Sequence, residues 1–277
     1  MRAVSSFRVL MGTSVLLLAV VLFPSTPSAH HSWGKYHWSR SINPLVLEIG
    51  DNVSSIWGGH LNTAVGDWSV SSVLDLNIVN GGSNPSTCAP TSGRVEVCNA
   101  AYGTTGWLGV AQIWITSGSH IVQATTKVND TYFNQAFYNT SPWRQMVICQ
   151  EVGHTFGLDH QDENFNNPNL GTCMDYTNDP DPATGLNNEH PNQHDYDQLV
   201  TIYSHLDGGS GGGGGGRGNG RFGGAPIVPP PFQPIFDPIQ VDTPRQWGRL
   251  VRGNARGALF DLDLGNGDHI FTFVIWA

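Results

Sequence analysis

Positive charge is scarce in this chain: 13 Lys and Arg stand against 22 Asp and Glu in 277 residues, a formal net charge of −9. The stretch from Ala29 to Asp207 has few basic residues, while Arg217, Arg221, Arg245, Arg249, Arg252 and Arg256 fall beyond it. Phosphate binding needs clustered Lys or Arg, so nucleic acid is excluded as the main partner of the acidic region. Long apolar runs are missing too. Only Val9 to Phe23 approaches one, and it falls short of the roughly 20 residues that a membrane span needs. Arg2 and Arg8 precede it and the small, helix-breaking stretch Pro24 to Ala29 follows. Residues 1–29 therefore read as an export signal cleaved after Ala29, which predicts a secreted protein with no stable membrane insertion. Cysteine is limited to four residues, and in an exported chain these point to two disulfides with three possible connectivities. Closure of a short Pro/Ser/Gly loop favours Cys88 with Cys98, which leaves Cys149 and Cys173.

What is present divides into three parts. Leu45 to Ile49 alternates as a strand, Ser54 to Ser69 carries apolar residues at helical spacing, and Val73 to Val79 is a second strand. Strand, helix, strand predicts a parallel crossover. Arg94 to Cys98, Leu108 to Ile115 and His120 to Val128 add three more β runs. Ser141-Pro142 reads as an N-cap followed by proline in the first turn of a helix. Trp143, Val147, Gln150 and His154 share one face of that helix, and Gly157 ends it. His194 to Leu206 forms a last helix. Residues 208–238 are rich in Gly and Pro and read as a linker. Residues 239–277, with turn signals at Gly253-Asn254 and Gly265-Asn266-Gly267, predict a small β module. Phe271 to Trp276 is apolar enough to pack elsewhere. Even so, removal of residues 208–277 is predicted to leave the chemistry upstream intact.

That chemistry lies in Gln150-Glu151-Val152-Gly153-His154-Thr155-Phe156-Gly157-Leu158-Asp159-His160. It matches the string H-E-x-x-H-x-x-G-x-x-H at every functional position but the first, where Gln150 replaces histidine. Residues four apart on a helix lie one above the other, so Gln150 and His154 converge, and the turn at Gly157 brings His160 round to them. Three protein ligands leave a fourth position on zinc open for water, whose pKa then falls to roughly 7. Glu151 is placed to take that proton. Cys149 sits about 100° around the helix from Gln150, so it points away from the ion and toward a disulfide with Cys173.

This stretch resembles the metzincin family of zinc endopeptidases, and the resemblance spans residues 30–207. Cys173-Met174-Asp175-Tyr176 matches the family's methionine turn, with Met174 beneath the metal and Tyr176 near the metal or the oxyanion. The resemblance implies an α+β fold: a twisted, mostly parallel sheet, an active-site helix, a Met-turn and a C-terminal helix, with the small β module appended. It implies Zn2+ held by Gln150, His154 and His160, catalysis by Glu151 and Tyr176, and a polypeptide substrate. It also implies that the substrate is laid along Leu108 to Ile115 as an added strand, with a specificity pocket near Tyr176 and Thr177. No cysteine-switch string precedes the domain, so control by an N-terminal propeptide is not expected. The alternative is a non-catalytic descendant that binds protein or peptide in the same cleft, favoured by the weak amide donor at Gln150. The Asp- and Asn-rich stretch from Asp159 to Asp197 offers oxygen ligands for a structural Ca2+, though a solvated loop is the stronger reading. His30 and His31 read as a solvated end, with metal binding through the free amine as the lesser option.

Overall fold

The structure, a computed structural model, describes residues 31–116, 118–207 and 243–277. The export signal, the linker and residues 239–242 lie outside the described residues. The elements in chain order are β1 (His37–Trp38), β2 (Leu45–Asn52), α1 (Ser55–Trp68), β3 (Leu74–Asn80), β4 (Arg94–Ala100), β5 (Trp107–Thr116) and β6 (His120–Asn129). Then come α2 (Asp130–Phe133), α3 (Ser141–His154), α4 (Gln193–Ile202), β7 (Arg249–Gly253), β8 (Gly257–Gly265) and β9 (Asp268–Trp276).

Simple alternation builds the first part. Leu45, Leu47 and Ile49 of β2 are buried while Val46 and Glu48 between them are exposed, the period-two pattern of a strand covered on one face. Trp57, Leu61, Ala64, Val65 and Trp68 line the buried side of α1. β2 pairs in parallel with β3 and β4, and β4 with β6, so α1 crosses between parallel neighbours.

The sheet continues past β6. Its order is β3-β2-β4-β6-β5-β9-β8-β7, with β1 attached to β6. Every pairing from β6 through β5, β9 and β8 to β7 is antiparallel. The fold is therefore α+β with a mixed sheet, and the expectation of a mostly parallel one is corrected. The cause is the C-terminal strands, which extend the sheet instead of forming a module of their own. They also cover one of its faces: Trp107, Val110 and Trp114 of β5 cluster with Trp247, Ile270 and Val274. Phe271, Phe273 and Ile275, the alternate residues of β9, join the main core on the side of α3. Every residue of β5 is consequently buried.

Two helix boundaries also differ from the sequence reading. Thr140, one residue before Ser141, caps α3, and its Oγ1 accepts from the Trp143 amide. α4 starts behind a capping box at Asn192 and ends at Ile202, four residues short of Leu206.

Candidate metal and peptide site

The candidate site hangs from α3 and the turn behind it. From Trp143 to His154 this helix is buried on all sides, which fixes its rotation. Cys149 and Cys173 form a disulfide, as do Cys88 and Cys98. The first bond ties the helix to the Met174 turn, and Trp68 Nε1 donates to the Cys149 carbonyl at 3.1 Å. Met174 is fully buried and lies against Gly153, where an added Cβ would meet its sulfur at 2.7 Å. Gly157 adopts φ +93°, and a Cβ there would sit 2.2 Å from the Tyr36 carbonyl. A larger residue would be both strained and blocked, so the exit of the helix depends on this glycine.

The chain then doubles back. Gln161 N donates to Met174 O at 2.6 Å and Tyr176 N to Asp162 O at 3.1 Å, which zips the segment after His160 onto the methionine turn. His154 Nδ1 lies 2.9 Å from the Leu158 carbonyl. A carbonyl only accepts, so Nδ1 carries the proton and Nε2 keeps its lone pair. That Nε2 faces His160 Nε2 at 3.0 Å. Two ligands of one tetrahedral zinc, at Zn–N of about 2.0–2.1 Å, stand about 3.3 Å apart. The separation of the two nitrogens is thus within a few tenths of an ångström of what one shared ion would need.

Gln150 and Glu151 complete the set of polar groups. Gln150 is fully buried, and its amide Nε2 donates to the Cys173 carbonyl at 2.8 Å. Its Oε1 has no hydrogen-bond partner among the described residues, nor do the two carboxylate oxygens of Glu151. Buried polar atoms are seldom left so, and an oxygen donor facing a cation resolves the orphan. These residues fit zinc. Burial pushes the Glu151 carboxyl well above its ordinary value; the Ala111 backbone opposes this in part without forming a well-shaped hydrogen bond. Burial, then the neighbouring His160, pushes the His154 imidazole well below its ordinary value. Tyr176 is buried with its ring 4.2 Å from that of His160, and burial holds its phenol well above the ordinary range.

Residues from the end of the chain lie over this site. The Phe273 ring stacks on His154 at 4.2 Å with an interplanar angle of 11°. Gly257 passes so close to Tyr176 that a Cβ there would overlap the phenol oxygen. Arg252 Nη1 donates to Asp159 Oδ2 at 2.7 Å, Arg252 Nε lies 3.0 Å from Glu163 Oε1, and the guanidinium covers the Trp33 ring at 5.1 Å. Asp159 and Glu163 therefore face an arginine. Asp175 accepts from Leu170 N and Asn188 Nδ2, and Asp195 accepts from Thr172 Oγ1. These acidic groups of the Asn-rich stretch have partners within the protein. The strand expected to receive substrate, Leu108 to Ile115, is paired on both edges, by β6 and by β9. That expectation is corrected for this state of the protein. His31, read as a solvated end, is instead buried, with Nε2 2.9 Å from Asp195; His30 lies outside the described residues.

Arg252, Gly257 and Phe273 are the residues that sequence reasoning missed. The apolar run from Ile270 to Trp276 carried a signal, since a run with so little polar alternation suits a strand covered on both faces.

No protein-family model matches the chain, and no curated protein is similar to it. A solved structure described as that of myroilysin is similar in shape, with 15% identity and a TM-score of 0.35, covering 63% of this chain and 98% of that one. That likeness is too loose to assign a role to any residue. Among the described residues, no helix is long and apolar enough to cross a membrane.

Proposed function

We propose that this chain is a secreted zinc endopeptidase held latent by its own C-terminal strands. The observation that carries the reading is the facing pair His154 Nε2 and His160 Nε2 at 3.0 Å, with the unpartnered oxygens of Gln150 and Glu151 alongside in the same motif. His154, His160 and Gln150 would hold the zinc, Gln150 through Oε1 because its amide nitrogen is already engaged by Cys173. Bound there, zinc supplies Lewis acidity toward a peptide carbonyl and toward water. Glu151 takes the proton of the attacking water on a carboxylate oxygen and delivers it to the leaving nitrogen. The Tyr176 phenol would donate to the oxygen of the tetrahedral intermediate, a charge that forms only as the reaction proceeds.

Latency follows from the same geometry. A peptide substrate would add to β5 as an antiparallel strand, backbone to backbone, and β9 already runs there in that sense. The specific support for the alternative, a peptide-binding descendant without catalysis, is that Gln150 is a weaker donor than imidazole.

Hydrolysis of an unfolded protein substrate and zinc content should be measured together on the mature chain. Arg252→Glu sets a carboxylate against Asp159 and Glu163 and should raise hydrolysis severalfold at unchanged zinc content. Adding Glu151→Gln should lower the opened activity by at least about 10²-fold, the size of a general-base contribution. Gln150→His should tighten zinc, and Gln150→Ala should weaken it. An opened variant that holds zinc and binds peptide yet cleaves nothing would establish the binding reading instead.

A further inference from the structure

Far along the chain from this motif, three histidines converge on one carboxylate oxygen. Nε2 of His37, His120 and His205 lie 3.3, 3.2 and 3.3 Å from Asp207 Oδ1. His37 and His120 are register partners in the β1–β6 pairing, and His205 and Asp207 follow α4. The His37 ring stands 5.0 Å from that of His120 and 4.8 Å from that of His205.

Hydrogen bonding alone does not explain this cluster. His37 Nδ1 lies 2.7 Å from the Lys35 carbonyl, so that nitrogen carries the proton. In the neutral ring, Nε2 would then present a lone pair to an anionic oxygen, an arrangement that needs a positive centre between them. One oxygen offers two lone pairs, and three nitrogens surround it at nearly equal distance. Charge-assisted N–H···O bonds are shorter, about 2.7–2.9 Å. Zinc with ligand bonds of about 2.0–2.2 Å separates each pair of tetrahedral ligands by about 3.3–3.5 Å, close to what Asp207 shows toward all three histidines.

The supporting groups suit the same reading. Arg40 N donates to Asp207 Oδ2 at 2.8 Å, and Asp207 N donates to Arg40 O at 2.8 Å, so Oδ1 is held toward the histidines. The Lys35 carbonyl fixes the His37 ring in the tautomer that offers Nε2, as outer partners of metal-bound histidine do. His37 is buried while His205 is open to solvent on a cavity of about 400 Å3, which gives an ion a way in.

We infer that His37, His120 and Asp207, whose ligand atoms all lie within 4.8 Å of one another, form a second zinc site that pins the first strand and the segment after α4 to the start of β6. His205, 3.3 Å from the shared Asp207 oxygen, stands at the open side of these three. This inference does not depend on the catalytic reading.

The test uses the mature full-length chain, stripped by chelator and titrated with Zn2+, with bound metal counted by mass spectrometry. In His154→Ala/His160→Ala, one zinc per chain should remain. Adding His120→Ala should weaken that zinc by more than the roughly 10–100-fold that loss of an outer supporting group costs. Loss of the site should also remove the rise in melting temperature that added Zn2+ produces. If the double variant does not fold, His120→Ala alone should lower the zinc stoichiometry of the parent chain by one. A chain that binds no zinc without His154 and His160, or equal zinc affinity after His120→Ala, would overturn the inference and leave a cluster held by protons alone.

Discussion

The parallel half of the sheet, β3-β2-β4-β6, and the antiparallel half, β5-β9-β8-β7, are built by different rules. In the first, alternating strands are joined through a crossover helix, and β2 keeps a wet and a dry face. In the second, β5 and most of β9 are buried on both faces while β7 at the far edge stays exposed, and β9 supplies the partner that β5 would otherwise lack. An unpaired β5 would be an edge with a row of free backbone groups, open to any extended peptide. The chain closes that edge with its own end. If the proposed reading holds, the site on α3 would carry the chemistry and the antiparallel half would decide whether peptide reaches it.

If the halves depend on one another, the largest effect should come from removing residues 243–277. Ile270, Phe271, Phe273, Val274 and Ile275 are buried, and burial of such side chains is worth about 1.5–3 kcal/mol each. Their joint loss is on the order of 10 kcal/mol, comparable to the whole stability of a domain. The truncated chain should aggregate or melt far below the full chain in scanning calorimetry. A soluble truncation with an unchanged melting temperature would show the two halves to be independent, as the linker composition had suggested.

A smaller probe separates packing from occlusion. Phe273→Ala removes the ring stacked on His154 and should cost about 3–5 kcal/mol, as for other buried phenylalanines. Because the same ring covers the site, hydrolysis measured at a temperature where the variant stays folded should rise. Lower stability with no gain in activity would make Phe273 a core residue only.

The two halves also differed in how much the sequence disclosed. The alternation of Leu45 to Ile49, the spacing along α1 and the string from Gln150 to His160 are local, and local patterns can be read without coordinates. They located β2, α1 and α3 closely and named the residues of the candidate site. The docking of β9 on β5 is set by two apolar runs more than 150 residues apart, and neither names its partner. An apolar strand such as Phe271 to Trp276 is equally at home in a small module or in a larger sheet. The cluster at Asp207 is harder still, since His37, His120 and His205 come from three separate elements and share no motif. Arg252, Gly257 and Phe273 matter through what they touch across the fold, and sequence spacing does not record that.

The smallest effect should come from a charge inside the parallel half. Glu96 of β4 is fully buried, with Arg94 Nε donating to Oε1 at 2.7 Å and Asn52 Nδ2 donating to Oε2 at 2.6 Å. Burial raises its pKa, but hydrogen bonds from Thr91, Asn52, Arg94 and the Gly82 amide outweigh that and hold it below the ordinary 4.5. A carboxyl whose folded pKa is depressed contributes stability that is fully present above the unfolded value. It is lost as pH falls through the folded value. Glu96→Gln keeps the shape and removes the charge, so Arg94 loses its partner, and at pH 7 the cost should be about 1–3 kcal/mol. Urea denaturation from pH 7 down through 4.5 and below should then show a steeper loss in the parent than in the variant, with the two curves approaching at the acid end. Parallel curves over that range would mean that Glu96 titrates alike in the folded and unfolded chain, and that the parallel half is held by its apolar alternation alone.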